Sequence, residues 1–165
     1  IYWPADHVAA VPITVKRNLI FLPVTIDGHE FNAVLDTGSQ YTAMNMAVAN
    51  HLFGLTPDSP DMQPLTLANG EKSLDAYGHR FDKLTFDGVD VLNLRIYLMQ
   101  DKIATREKIR RMEGLDDTDD VVFPDLLIGM DVLRHLHVYY AAKEKRLYIS
   151  EAARGESALF RFQNR

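Results

Sequence analysis

Val34-Leu35-Asp36-Thr37-Gly38-Ser39 is the stretch that decides how this chain is read. Phe31, Ala33 and the Val34-Leu35 pair ahead of the aspartate suit a strand packed into a core. Gly38 then predicts a sharp turn with unusual backbone angles. The expected product is a carboxylate at a strand end, held by a tight loop. Thr37 and Ser39 supply hydroxyls to that loop, and Gly38 leaves backbone N–H groups approachable. At average composition, Asp-[Ser/Thr]-Gly arises by chance in roughly one chain in ten of this length. Alone, therefore, it says no more than an Asx-type turn after a strand.

A second stretch changes the odds. Leu126-Leu127-Ile128-Gly129-Met130-Asp131 runs apolar residues into a glycine, followed by a helix predicted over Val132 to Leu136. Between the two lies LTLANGEKSL, Leu65 to Leu74, a hairpin with Asn69-Gly70 at its tip. This order resembles the retropepsin-like aspartic proteases, the family of retroviral proteases and their cellular and bacterial relatives. The resemblance covers Ile13 to Ser150. It implies an all-β fold with short helices, an acid-protease-type closed barrel, and one retropepsin-like domain per chain.

The resemblance also implies roles. Asp36 is the catalytic carboxylate. Thr37 is the threonine whose hydroxyl locks two active-site loops together, Gly38 brings its N–H to the carboxylate, and Ser39 bonds the outer carboxyl oxygen. Gly129 packs behind that loop, and Ala68, Asn69 and Gly70 form the flap over substrate. Two departures stand out. The flap lacks the glycine-rich tip of the retroviral enzymes, although bacterial relatives show an Ala-Asn-Gly-like stretch. The gap from Asp36 to Gly129 is longer than the retroviral pattern, and an insertion at Asp101 to Asp125 accounts for much of it.

Aspartic proteases hydrolyse peptide bonds with two carboxylates that share a proton and activate one water. Two like charges at close range cannot both ionise, so one serves as base and the other as acid. The pair titrates as a unit. This chain has a single Asp-[Ser/Thr]-Gly, since Asp27-Gly28, Asp87-Gly88 and Asp131-Val132 lack it. The resemblance therefore implies a homodimer with two copies of Asp36 on the two-fold axis. The function expected is an aspartic endopeptidase acting on a peptide or protein substrate. Two other readings keep the fold: a catalytically silent dimerisation or peptide-binding domain, and one half of a two-domain protease.

Composition narrows the classes. The chain has 165 residues, 47% hydrophobic and 25% charged, which suits one domain. A net charge of −5 argues against nucleic acid as a partner. No apolar run approaches the roughly 20 residues of a membrane-spanning helix. Cysteine is absent, which excludes disulfides, Cys-based zinc sites and thiol catalysis. The sequence starts at Ile1 without Met or a signal peptide and reads as trimmed from a longer precursor. A bacterial periplasmic or cell-envelope setting follows from the resemblance alone.

The remaining chain reads in order. Residues 1–12, with two prolines, form an irregular N-terminal arm. Residues 13–150 hold the protease domain. In it, Asp27-Gly28 is a hairpin turn, Tyr41 to Met44 a strand, and Met46 to Phe53 a helix ended by Gly54. Arg80 to Phe86 and Val89 to Leu98 flank a turn at Asp87-Gly88, with Leu92, Leu94, Ile96 and Leu98 on one buried face. The insertion at 101–125 is highly charged, helix-prone over Ala104 to Glu113, and reads as a solvated segment, either surface decoration or a lid. Val138 to Ala141 and Arg146 to Ile149 make a final hairpin. Residues 151–165 are a tail, in which Ala158 to Phe162 alternates like an interface strand.

Other chemistries find little support. The six histidines form no His-Glu-x-x-His motif, and His135-x-His137 alone is weak, so no metal and no cofactor are expected. Ser39 lacks the Gly-x-Ser-x-Gly context of a serine hydrolase, and no phosphate-binding glycine loop is present. Asp131 reads as a cap on the helix after it rather than a second catalytic acid.

Overall fold

A computed structural model describes residues 8–16, 18–66, 69–100, 124–152 and 160–162. Twelve strands and two helices follow one another among them. The strands are β1 (Ala9–Pro12), β2 (Thr14–Lys16), β3 (Leu19–Ile26), β4 (His29–Leu35), β5 (Ala43–Asn45), β6 (Gln63–Thr66), β7 (Lys72–Phe86), β8 (Val89–Met99), β9 (Leu126–Ile128), β10 (Leu136–Ala141), β11 (Arg146–Glu151) and β12 (Phe160–Phe162). The helices are α1 (Met46–Phe53) and α2 (Met130–Leu133).

The sheet closes on itself. Strands pair in the order β8-β5-β9-β4-β3-β7, and β7 pairs back onto β8. That ring is a closed six-strand barrel, the fold class expected. Period-2 alternation fills it: Leu22, Val24 and Ile26 of β3, Phe31 and Ala33 of β4, and Leu94, Ile96 and Leu98 of β8 all point inward. Pro23, which has no N–H to give, lies between the β3 segments that meet β2 and β7, where only β4 pairs with it. A separate three-stranded sheet, β1-β11-β10, stands beside the barrel.

Local chemistry explains the turns. Asp27 and Gly28 take φ of 46° and 86°, and Asp87 and Gly88 take 34° and 102°. These positive values belong to the tight hairpin turns that match strand twist. Helix α1 starts where the Asn45 side chain accepts from the Ala47 N–H at 2.8 Å, and stops at Gly54 with φ 68°.

Several details differ from the sequence reading. Ala9–Pro12 is not irregular but a strand paired with β11, because Ala9 and Val11 have an apolar floor to cover. Residues 72–86 are one long strand, so the flap hairpin runs straight into the barrel wall. Leu92 leaves the buried face. Asn93 takes φ 53°, which reverses the alternation and hands burial to Val91 and Val89. Phe160–Phe162 lies against β8 of its own chain, at Val89 to Val91. The arm before Val8 and the insertion up to Phe123, with its helix-prone stretch, lie outside the described residues, as do Leu67, Ala68, Ala158 and Leu159.

Candidate active site

Asp36 sits where β4 ends, beside β9. Leu35 pairs with Ile128 in parallel, and the Asp36 N–H donates to the Ile128 carbonyl at 3.0 Å. The apolar runs Val34-Leu35 and Leu126-Ile128 thus lie side by side and deliver Asp36 and Gly129 to the same end of the barrel. Asp36 itself is half-buried, and Thr37 and Gly38 are exposed.

The Gly38 N–H donates to Asp36 Oδ1 at 2.8 Å. Gly38 does so without the unusual backbone angles its sequence context suggested, since its φ lies outside the left-handed region. A Cβ there would meet Asp36 Oδ1 at 3.2 Å, so what glycine provides is close approach. The Ser39 hydroxyl donates to the Tyr41 carbonyl at 2.9 Å, not to the Asp36 carboxylate to which the resemblance assigned it. One hydroxyl proton serves one acceptor, and here it tightens the loop. The Thr37 hydroxyl has no partner among the described residues.

Behind the loop stands α2. A Cβ on Gly129 would lie 2.5 Å from both the carbonyl carbon and oxygen of Tyr41, so only glycine fits. Met130 and Asp131 donate their N–H groups to the carbonyls of Ser39 and Gln40 at 2.9 and 3.0 Å. Buried Thr42 completes the seam: its Oγ1 accepts from the Gly129 N–H at 3.1 Å and donates to Asp131 Oδ1 at 2.7 Å. The Thr42 N–H donates to both Asp131 oxygens, at 2.9 and 3.0 Å.

Asp131 therefore differs from its sequence reading. The helix spans Met130–Leu133, with extended Gly129 as its cap residue, and Asp131 lies in its first turn. Its carboxylate does accept from the Val132 N–H at 2.9 Å, but its main work is to hold Thr42. The same seam moves β5 to Ala43–Asn45, because Tyr41 and Thr42 are used by the loop.

Two further parts border the loop. Tyr41, 38% exposed, packs on Tyr97 with ring centroids 4.7 Å apart. The Tyr97 N–H donates to the Thr42 carbonyl at 3.0 Å, and Tyr97 pairs with Gly78 of β7. This links the loop to the strand that continues from the hairpin. At the hairpin, Gly70 takes φ 84° and Asn69 Oδ1 accepts from the Glu71 N–H at 3.0 Å. Among the described residues no cluster of three metal-ligating side chains occurs, and His137 Nε2 lies 3.0 Å from the Ala152 carbonyl.

A strand-end carboxylate with one oxygen held by a backbone N–H, on a loop buttressed by a glycine-led helix, defines a class. The sequence profile described as aspartyl protease matches residues 22–132, which include both Asp36 and Gly129. The chain belongs to that family. Among solved structures it resembles a retropepsin-like aspartic protease from Rickettsia conorii, at 16% identity and TM-score 0.54, over 90% of this chain and 96% of that one. It also matches the retroviral protease-like domain of Ddi1 from Leishmania major, at 16% identity and TM-score 0.49, over 92% and 97% of the two chains. No curated protein matches the sequence.

Proposed function

We propose that this chain is an aspartic endopeptidase, active as a homodimer in which two Asp36 carboxylates activate one water. The observation that carries the reading is the Asp36 carboxylate, fixed by the Gly38 N–H at 2.8 Å on a loop that leaves it open to solvent. The other carboxylate attached to this loop, Asp131, has both oxygens engaged by Thr42. That leaves Asp36 without a second acid on the same loop, and a second copy of the chain would supply one. The exposed Thr37 hydroxyl suits a contact between the two loops, and the Asn69-Gly70 hairpin suits a flap.

In the reaction, one Asp36 carboxylate takes a proton from water while the protonated partner donates to the carbonyl oxygen of the scissile peptide bond. The resulting tetrahedral diol collapses as the leaving nitrogen gains a proton. Sharing one proton between two carboxylates places the working range on the acid side of neutrality.

The test starts with a peptide that the protein cleaves, found by mass spectrometry of a peptide mixture at acidic pH. Replacing its scissile amide with a hydroxyethylene group mimics the diol and should give a tight inhibitor. Binding of one inhibitor per two chains is expected. No cleavage across the mixture, or one inhibitor per chain, would sink the reading.

A further inference from the structure

We propose that Arg80 and Arg95 form a carboxylate-binding subsite, which takes an acidic side chain of the peptide substrate a few residues from the bond that is cut. This deepens the protease reading and rests on it for the identity of the ligand.

Strands β7 and β8 place the two arginines directly opposite one another. Both are exposed, on the outer face of the barrel wall, since their neighbours Phe81, Leu94 and Ile96 point into the core. Side chains opposed in this way stand about 4.5–5.5 Å apart at Cβ, and like charges there repel. No carboxylate among the described residues forms an ion pair with either arginine; the ion pair on this stretch of wall joins Lys83 to Asp90, at 3.8 Å. In a chain of net charge −5, two cations side by side make a local site for an anion. An anion seated between them turns repulsion into attraction.

Arg95 is also aimed. Beside it lies Gly78, paired with Gln63 of β6 on one side and Tyr97 of β8 on the other. A Cβ on Gly78 would meet Arg95 Cδ at 3.2 Å and Tyr97 Cε1 at 3.6 Å, so the missing side chain lets Arg95 lie down across β7. There its Nη2 donates to Gln63 Oε1 at 3.4 Å, a long bond to a neutral acceptor. Most of the guanidinium donors remain for a ligand, and their planar fork matches a carboxylate.

Position selects a substrate side chain as that ligand. Strand β5 runs parallel to β8 with Ala43 opposite Tyr97, so the chain leading into Ala43 runs beside the chain leading into Tyr97. Tyr41 packs there, its ring centroid 4.7 Å from that of Tyr97, and the Ser39 hydroxyl of the Asp36 loop holds its carbonyl. The two tyrosines thus make a continuous surface from the Asp36 loop to Arg95. Gln63 belongs to β6, which leads into the Asn69-Gly70 hairpin. An extended peptide advances about 3.3 Å per residue, so the arginines meet a side chain beyond the reacting group.

Positional peptide pools test this. Nonapeptides, degenerate elsewhere, carry Glu, Gln or Lys at one fixed position. Two readouts are taken by mass spectrometry: relative kcat/KM of wild-type cleavage, by competition, and retention on immobilised Asp36→Asn. At one or more positions Glu should be preferred to Gln by about fivefold. The ratio should fall to near one in Arg80→Gln/Arg95→Gln and turn in favour of Lys in Arg80→Glu/Arg95→Glu. Lys143→Gln, an exposed charge in the β10–β11 turn, should keep the wild-type ratio. Each ratio compares two peptides on one protein, so partial unfolding cancels. The preference should fade below pH about 4.3, where glutamate takes up its proton. A ratio near one at every position in the wild type, or an unchanged ratio in the double Gln variant, would overturn the proposal. Retention that follows the arginines while the wild type cuts no peptide would overturn the protease reading alone.

Discussion

Thr42 and Asp131 stand 89 positions apart in the chain and are joined by three hydrogen bonds of 2.7 to 3.0 Å. One links β5's approach to the Asp36 loop, the other opens α2. Thr42 is fully buried, so its N–H has no water to turn to if Asp131 is lost. The pair fixes the height of the loop above the barrel end, and with it the position of Asp36.

Asp131→Ala should destabilise the fold by about 2–3 kcal/mol, the usual loss when a carboxylate leaves a buried donor unpaired. Thr42→Val should cost about 1–3 kcal/mol, because it strips the Gly129 N–H of its acceptor. In a double-mutant cycle by urea denaturation, the two losses should be strongly non-additive. Additive losses would show that the pair is not a unit.

Gly129→Ala places a methyl where the Tyr41 carbonyl already lies, at 2.5 Å. Backbone cannot yield as a flexible side chain does, so the loop must shift. A loss of at least about 1–3 kcal/mol is expected, with peptide cleavage falling further than stability does. Wild-type melting and wild-type turnover together would contradict the packing described.

Asn45→Ala removes the acceptor for the Ala47 N–H at the start of α1. Loss of such a cap costs about 1 kcal/mol. Thermal unfolding should record that drop while leaving cleavage unchanged, since α1 lies outside the Asp36 seam.

Tyr148 supplies a pH dependence. Its hydroxyl donates to Glu144 Oε2 at 2.5 Å. That hydrogen bond, then burial and the carboxylate's charge, raise its pKa above the usual 10.0. A group whose pKa is raised on folding stabilises the fold below the unfolded value, and the contribution fades as pH rises through the folded one. Ultraviolet titration of the phenolate should show one tyrosine moving to lower pH in Glu144→Gln. An unchanged titration curve would refute the assignment.

The barrel was legible because its signals are local and repeated. Asp27-Gly28 and Asp87-Gly88 announce their turns, and Met46 to Phe53 carries both of its caps in sequence. Asp36 and Gly129 stood out because each closes an apolar run, and the barrel brings those runs side by side. Thr42 was missed because a single threonine before a strand has no pattern, and its partner is 89 positions away. Asp131 reads locally as a cap because a cap is the local use of such a residue. The reversal at Asn93 is hidden for a similar reason: the unbroken alternation of Leu92, Leu94, Ile96 and Leu98 gives no sign of a positive φ inside it.

The central claim is that Asp36 carries the chemistry, and the most direct measurement is the cleavage rate of Asp36→Asn on a peptide that the wild type cuts. The amide is nearly isosteric with the carboxylate and keeps an oxygen for the Gly38 N–H, so the fold and melting temperature should persist. It cannot serve as general base and acid, so the rate should fall at least about a hundredfold. Turnover at the wild-type rate by a folded Asp36→Asn would contradict the account.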